Sequence, residues 1–199
     1  MIGKIEFFYD YVSSYSYLAN SQLDELASKT GAEIVYRPMF LGGVMEATGN
    51  RPPATIKPKG EYLLSDIDRW TARYSLPFKM NPLFPQNTIN ALRIALVALE
   101  RDEFKDIHQG LFDAMWVNEE NLSDKEVLAG VIASAGCDTE KYIADIARQE
   151  IKDELKTNTA EAIRRGAFGA PTFYVGEQMF FGNDRFDFIE EAIAGQAIT

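Results

Sequence analysis

The sequence predicts an α/β fold in which an all-helical domain is inserted into a domain of strands and helices. Three observations predict it. The chain opens with a strand, a helix and a strand, a long helical segment follows, and the last part returns to two strands and a helix. A strand, helix, strand unit of this length implies a parallel crossover, and two strands with a two-residue connection imply a hairpin.

The opening unit is predicted from its apolar spacing. Lys4–Tyr9, KIEFFY, mixes β-branched and aromatic residues over a length typical of a buried strand. From Tyr15 to Ala27 apolar residues recur at helical spacing, and Gly31 supplies the stop. Glu33–Arg37, EIVYR, is predicted as the second strand.

The middle of the chain is predicted to be helical. RPPATIKPK, Arg51–Lys59, carries three prolines in nine residues, which predicts a loop and a domain boundary. SDKE, starting at Ser123, matches a capping box and marks a helix start. The apolar pattern predicts helices at about 60–75, 87–101, 104–117, 123–135, 139–149 and 151–165.

The end of the chain completes the architecture. TFYV and QMFF are separated by Gly176 and Glu177, which suits a tight hairpin, and a last helix is predicted from Asn183 or Asp184 through Ile193. A strand, helix, strand unit followed by a hairpin and a helix is the thioredoxin arrangement. We therefore expect a thioredoxin-like domain formed by residues 1–40 and 166–199, and an inserted helical domain formed by residues 41–165.

The composition excludes several classes of function. The formal net charge is −10 at pH 7, and nucleic acid binding requires clustered Lys and Arg instead. The sequence contains no run of about 18 apolar residues that would predict a membrane span, and its start lacks a secretory signal pattern. We expect a cytoplasmic protein that binds neither membranes nor nucleic acid.

The reactive side chains are few. Cys137 is the only cysteine, so an intrachain disulfide is impossible, and its place at a predicted turn between helices favours a structural role. His108 is the only histidine, and its apolar neighbours on a predicted helix favour packing. Cys-His and Ser-His pairs and a His-rich metal site are therefore not expected, and we predict no bound metal.

Three places could carry chemistry. Ser13 or Ser14 falls at the start of the first helix, where free N–H groups and a hydroxyl favour an anion. The Ala170–Pro171 step precedes a strand; a cis bond there would expose backbone groups to a peptide-like ligand, although most such bonds are trans. Asn183 and Asp184 precede the last helix and could take the carboxylate and ammonium of an amino acid. Simple helix capping explains the serines and the Asn-Asp pair equally well.

Three segments of the sequence carry a family resemblance. FYDYVSSYSYLAN matches the opening FYD-x-x-S-P-Y-S-[WY]-L, ATGNRPP with the following KPKG matches GN-x-PP and KG, and RRGAFGAPTFYVGEQMFFGNDR matches G-x-FG-x-P-T with GNDR. In this order they resemble the 2-hydroxychromene-2-carboxylate isomerases and the kappa-class glutathione transferases, relatives of the DsbA disulfide oxidoreductases.

The resemblance implies a DsbA-type thioredoxin domain, a homodimer and a glutathione site. Ser13 takes the position of the serine that holds the glutathione sulfur, and Asn50 that of an asparagine near the tripeptide. Ser14 replaces the usual proline, which leaves open which hydroxyl faces the sulfur. The other cofactor positions implied by the resemblance are Ala170 before cis-Pro171, and Gly182, Asn183 and Asp184 at the γ-glutamyl head group.

The resemblance also implies an activity. A glutathione thiolate would add to 2-hydroxychromene-2-carboxylate, open the ring and leave after rotation, giving trans-o-hydroxybenzylidenepyruvate in aromatic degradation. Phe84 falls where some isomerases have a tyrosine that contacts the aromatic substrate. Lys59, Lys57 and Arg51 are the candidates for binding the substrate carboxylate. The alternatives are a kappa-like transferase that conjugates electrophiles and a non-catalytic thioredoxin-like binding module. A disulfide oxidoreductase is excluded because Ser13 and Ser16 stand at the Cys-x-x-Cys positions.

Overall fold

A computed structural model describes residues 3–195, which form a four-stranded sheet surrounded by helices. In chain order the elements are β1 Lys4–Tyr9, α1 Ser14–Asn20, α2 Leu23–Thr30, β2 Glu33–Pro38, α3 Leu41–Thr48, a 3₁₀ turn Pro53–Thr55, α4 Lys57–Tyr74, α5 Ile89–Glu100, α6 Phe104–Trp116, α7 Lys125–Ser134, α8 Thr139–Asp145, α9 Gln149–Arg164, β3 Thr172–Val175, β4 Gln178–Phe181 and α10 Phe186–Ile193. The predicted α/β order is confirmed. The division into two domains stays a prediction.

The sheet is mixed, with the strand order β2-β1-β3-β4. β1 pairs in parallel with β2, from Lys4 opposite Glu33 onward, and antiparallel with β3. β3 and β4 pair antiparallel across the predicted two-residue turn, where Gly176 has a positive φ of 58° that favours glycine. The crossover and the hairpin inferred from the sequence are both present.

The side chains of β1 alternate between two cores. Phe7 stacks between Tyr9 and Phe173, with ring centroids 4.9 and 5.0 Å apart, in the main core, which also contains apolar residues of α5 and α6. Phe8 lies in the smaller core with Tyr174. Because successive residues of a strand point to opposite faces, both faces of β1 are covered.

The first predicted helix is two helices, α1 and α2. At the break the Ser21 hydroxyl donates to the Leu18 carbonyl at 2.7 Å, and the Gln22 N–H donates to the Ala19 carbonyl three residues back. A serine side chain that takes a helix carbonyl competes with the backbone donor of the next turn. The apolar spacing continues through the break, so the sequence pattern did not reveal that there are two helices.

Helices α3 and α4 differ from the prediction for different reasons. No helix was predicted over residues 41–48, which include two glycines near the start, yet the first N–H of α3 is held by the carboxylate of Asp10 at 2.9 Å. α4 begins at Lys57, inside the segment predicted as a loop. Pro58 lies in its first turn, where the missing N–H needs no helical partner.

Two helix starts are shifted. α7 is capped by Asp124, which accepts from the Glu126 N–H at 3.2 Å, whereas the predicted cap Ser123 hydrogen-bonds to Asn121. α10 begins at Phe186 because the residues from Gly182 to Asp184 form a turn in which Gly182 has a φ of 106°.

A buried polar network lies beneath β1. The Tyr11 hydroxyl is 2.8 Å from Nδ1 of His108, and Nε2 of His108 is 2.8 Å from Oδ1 of Asn20. An amide oxygen only accepts, so Nε2 carries the hydrogen and Nδ1 accepts from Tyr11. Burial lowers the pKa of His108 to about 3, which keeps the ring neutral.

This burial predicts acid destabilisation. Below the unfolded pKa of about 6.5 the unfolded chain binds a proton that the folded protein excludes, so stability falls as the pH drops from 6.5 toward 3. We expect the free energy of unfolding, measured with urea, to be about 2 kcal/mol lower at pH 5 than at pH 7. Because His108 is the only histidine, His108→Leu should remove most of this slope. A slope that survives in His108→Leu would contradict the assignment.

Candidate functional site

The turn between β1 and α1 is built around Ser13. Its N–H donates to the Asp10 carbonyl at 3.0 Å, and its side chain caps α1 by accepting from the Ser16 N–H at 3.1 Å. The hydroxyl donates to the Ala170 carbonyl at 3.0 Å. Ser13 is 8% exposed, so this hydroxyl lies in a partly dehydrated setting in which its hydrogen bonds strengthen.

Asp10 fixes this turn from below. Its buried carboxylate accepts from the Thr88 hydroxyl at 2.6 Å, from the Leu41 N–H at 2.9 Å and from the Val12 N–H at 3.1 Å. Burial raises the pKa of the Asp10 carboxyl, and these hydrogen bonds oppose part of the rise. The carboxylate thereby joins the turn to the starts of α3 and α5.

The Ala170–Pro171 segment lies next to Ser13 in the fold, although the two are 157 residues apart in the sequence. The peptide bond is cis, and the Ala170 carbonyl is turned toward the Ser13 hydroxyl. The Pro171 carbonyl accepts from the Gly182 N–H at 3.1 Å, and the Asn50 amide donates to the Phe168 carbonyl at 2.7 Å. Within residues 3–195 the Ala170 N–H has no hydrogen-bond acceptor. Hydrogen bonds therefore connect Ser13, Asn50 and Gly182 through this one segment.

The turn before α10 presents Asn183 and Asp184. Asn183 is 2% exposed, and its Nδ2 has no hydrogen-bond partner in the described part of the chain. Burial raises the pKa of the Tyr74 hydroxyl, which lies near the Asn183 amide but does not hydrogen-bond to it. Asp184 is half-exposed and pairs with Arg185 at 2.7 Å. Gly182 has a φ of 106°, a backbone conformation that L side chains rarely adopt, so glycine is favoured there.

Ser14 lines an apolar cavity of about 360 Å³. Its walls come from the 3₁₀ turn, α4, the loop before α5 and the end of α6, and they include Met80, Phe84 and Trp116. The Trp116 indole N–H donates to the Tyr11 carbonyl at 2.9 Å, which ties the cavity wall to the Ser13 turn. The volume suits one small aromatic ligand.

The whole described fold matches a known family. Residues 4–194 match the sequence profile of the DSBA-like thioredoxin domain. The chain belongs to this family. The DSBA-like fold class and the relationship inferred from the three motifs are both confirmed.

The members of the DSBA-like family that this chain resembles are named as isomerases and glutathione transferases. A 2-hydroxychromene-2-carboxylate isomerase from Sphingobium xenophagum is 31% identical over 192 residues, which cover 96% of this chain and 97% of the relative. Glutathione S-transferase kappa 1 from Caenorhabditis elegans is 29% identical, over 96% of this chain and 91% of the relative. A solved structure of 2-hydroxychromene-2-carboxylate isomerase superposes with a TM-score of 0.84 at 26% identity, over 96% of this chain and 95% of that one.

The DSBA-like fold brings most of the predicted site residues together. Ser13, Asn50, Ala170 with Pro171, and Gly182 are joined through hydrogen bonds, and Ser14 and Phe84 line the same cavity. Arg51 and Lys59 are exposed and do not line the cavity, so their role in substrate binding stays a prediction. No cluster of metal-binding side chains occurs within residues 3–195.

Several residues at the site were not predicted from the sequence. Gly60, Glu61 and Leu64 line the cavity together with Lys57, which was named only as a candidate cation. The four positions follow the spacing i, i+3, i+4 and i+7, which places them on one helix face. A helix predicted from residue 57 would have revealed this face. Trp116, in contrast, gives no local signal, because its contact with Tyr11 spans 105 residues.

Proposed function

We propose that this protein is a glutathione-dependent isomerase that converts 2-hydroxychromene-2-carboxylate to trans-o-hydroxybenzylidenepyruvate in aromatic degradation. The observation that carries the proposal is the buried Ser13 hydroxyl, held at a helix start against the Ala170 carbonyl and followed directly by a residue that lines an apolar cavity. The full-length match to proteins named as this isomerase supports it.

Glutathione fits the donors that the protein leaves free. The buried Nδ2 of Asn183 suits the γ-glutamyl carboxylate, and the Ala170 N–H suits a peptide carbonyl. The Asp184 carboxylate, half-exposed on the same turn, suits the γ-glutamyl ammonium. Asn183 and Asp184 would then hold the carboxylate and the ammonium of one amino-acid group, and Ala170 would hold the peptide that follows it.

Ser13 would hold the sulfur. In the described part of the chain the N–H groups of Ser14 and Tyr15 also lack acceptors, so the start of α1 offers two further donors beside the Ser13 hydroxyl. Turning the Ser13 hydroxyl from the Ala170 carbonyl to a thiolate replaces a neutral hydrogen bond by a charge-assisted one, which is about twice as strong. When bound, glutathione supplies a thiolate that adds to the conjugated carbon of the substrate and later leaves.

Lys57 is the cation that we assign to the substrate carboxylate. It lines the cavity and is paired with Glu61 at 3.9 Å, a separation at which an exposed ion pair contributes little. Its side chain is 88% exposed at the rim, so it can turn toward a carboxylate entering from solvent. Lys59 and Arg51 stay alternatives outside the cavity lining.

The second candidate function is a kappa-like transferase. The same donors at Ser13 would serve an enzyme that conjugates glutathione to electrophiles, and the kappa 1 relative matches nearly the whole chain. A non-catalytic module that binds peptides, and not glutathione, would need only the free donors at Ala170 and Asn183.

One experiment separates the three functions. The purified chain is offered 2-hydroxychromene-2-carboxylate or 1-chloro-2,4-dinitrobenzene, with and without glutathione, and the products are separated chromatographically. We expect isomerisation that requires glutathione without consuming it. Conjugate formation alone would favour the transferase, and calorimetry that detects no binding at millimolar glutathione would contradict both enzymes.

The cell compartment and the assembly belong to the proposal as well. No helix within residues 3–195 is both long and apolar enough to cross a bilayer. We propose a cytoplasmic homodimer, as the family resemblance implies. Exposed Met179 and Phe181 on the edge strand β4, and Phe188 on α10, which contacts β4, would supply apolar surface for a second subunit.

A further inference from the structure

We propose that Ser14 selects the substrate, by donating a hydrogen bond from its hydroxyl to a carbonyl or phenol oxygen of an aromatic molecule in the cavity. This inference rests on the proposed function, since it concerns the second substrate of the same site. It assigns the two adjacent serines to different ligands, Ser13 to the sulfur and Ser14 to the substrate.

The two hydroxyls differ in what they already contact. The Ser13 hydroxyl makes two hydrogen bonds, to Ala170 and from the Ser16 N–H. The Ser14 hydroxyl makes none within residues 3–195, although Ser14 is only 9% exposed and lines the cavity. The Ser14 hydroxyl is therefore free to donate to a ligand that enters the cavity, in a setting that excludes most of the competing water.

The cavity defines the chemical class of the ligand. Its walls are apolar and aromatic, with Met80, Phe84 and Trp116 on the side of the loop and α6, which suits a flat ring system. Its polar residues are Ser14, which is buried, and Lys57 with Glu61, which are exposed at the rim. The preferred ligand therefore has an aromatic body, a neutral oxygen at the buried end and a charged group at the open end.

Ser16 provides a matched control on the same helix. The Ser16 hydroxyl is fully buried without a partner in the described part of the chain, and Ser16 does not line the cavity. Ser16→Ala thus removes the same atom from the same helix, without changing the cavity wall. Any difference between Ser14→Ala and Ser16→Ala reports the contact with the ligand.

Ligand binding without glutathione tests the proposal. In a Trp70→Phe background, quenching of the remaining Trp116 fluorescence measures the Kd of benzylideneacetone and of its oxygen-free counterpart, trans-1-phenyl-1-butene. We expect Ser14→Ala to weaken the ketone about fivefold to tenfold, the worth of one neutral hydrogen bond, and the hydrocarbon less than about twofold. Ser14→Pro should act like Ser14→Ala, and Ser16→Ala should change neither Kd.

Two outcomes would overturn the proposal. One is an equal change for the ketone and the hydrocarbon in Ser14→Ala, including no change for either. The other is a weakened Kd for glutathione, measured by calorimetry, with an unchanged Kd for the ketone, because that would assign Ser14 to the cofactor. If the unmodified protein fails to bind glutathione, the proposed function fails while the ketone measurement still decides the role of Ser14.

Discussion

Replacing Ser13 by alanine is expected to lower glutathione-dependent turnover by about 10² to 10³, the usual effect of removing one preorganised donor from a reacting oxyanion or thiolate. The Ser13 oxygen is held in place by two hydrogen bonds and is nearly buried, so only its hydrogen has to turn from the Ala170 carbonyl to the sulfur. Turnover of 2-hydroxychromene-2-carboxylate at saturating glutathione is the measurement.

The thiol pKa gives a second measurement that does not depend on turnover. A free thiol has a pKa of about 8.5, and protein donors of this kind lower it. We expect ultraviolet titration of bound glutathione to show a lowered thiol pKa in the unmodified protein and a value closer to 8.5 in Ser13→Ala. The hydroxyl would then be shown to act on the sulfur.

The fold should survive the change. Loss of the cap at Ser13 is expected to reduce the free energy of unfolding by about 1 kcal/mol, a small part of a typical total. Ser21→Ala is the matched control, because its hydroxyl bonds to the Leu18 carbonyl at the other end of α1. Unchanged turnover in Ser13→Ala would contradict the mechanism.

The sequence was sufficient for the elements whose residues determine their own conformation. The β-branched and aromatic residues of Lys4–Tyr9 and the Gly176 turn encode a strand and a hairpin locally, and both occur as predicted. α3 could not be predicted in this way, because its first N–H is satisfied by Asp10, 31 residues earlier in the chain. The start of α4 was missed because three nearby prolines suggested a loop, although one of them suits a first helical turn.

The residues of the site also differ in whether a local sequence motif reveals them. Ser13 and Asn183 were found because each lies in a short motif at a helix start. The cavity was not, because Ser14, Lys57 and Phe84 come from three elements that become neighbours only in the fold. The free hydroxyl of Ser14 was also beyond the sequence, since only the structure distinguishes it from the bonded hydroxyl of Ser13.

Asp10→Ala is expected to lower the free energy of unfolding by about 3 kcal/mol, a large fraction of the typical stability of a domain. Burial raises the pKa of this carboxyl above its ordinary value of 3.8, so ionising Asp10 at higher pH destabilises the folded state. Replacing Asp10 by alanine removes this destabilisation. The substitution also leaves the buried donors of Thr88, Leu41 and Val12 without an acceptor, and this larger effect decides the sign.

Urea unfolding at pH 7 measures the loss, and a double-mutant cycle with Thr88→Val tests its cause. Thr88→Val removes one of the three donors, so it should be less harmful in the Asp10→Ala background than in the unmodified protein, by about 1 kcal/mol. Asp10→Asn should also destabilise, because all three partners donate and an amide offers only one accepting oxygen. The exposed Asp153→Ala serves as the control for loss of a carboxylate. Additive effects of Asp10→Ala and Thr88→Val would show that their hydrogen bond does not hold α5 against the Ser13 turn.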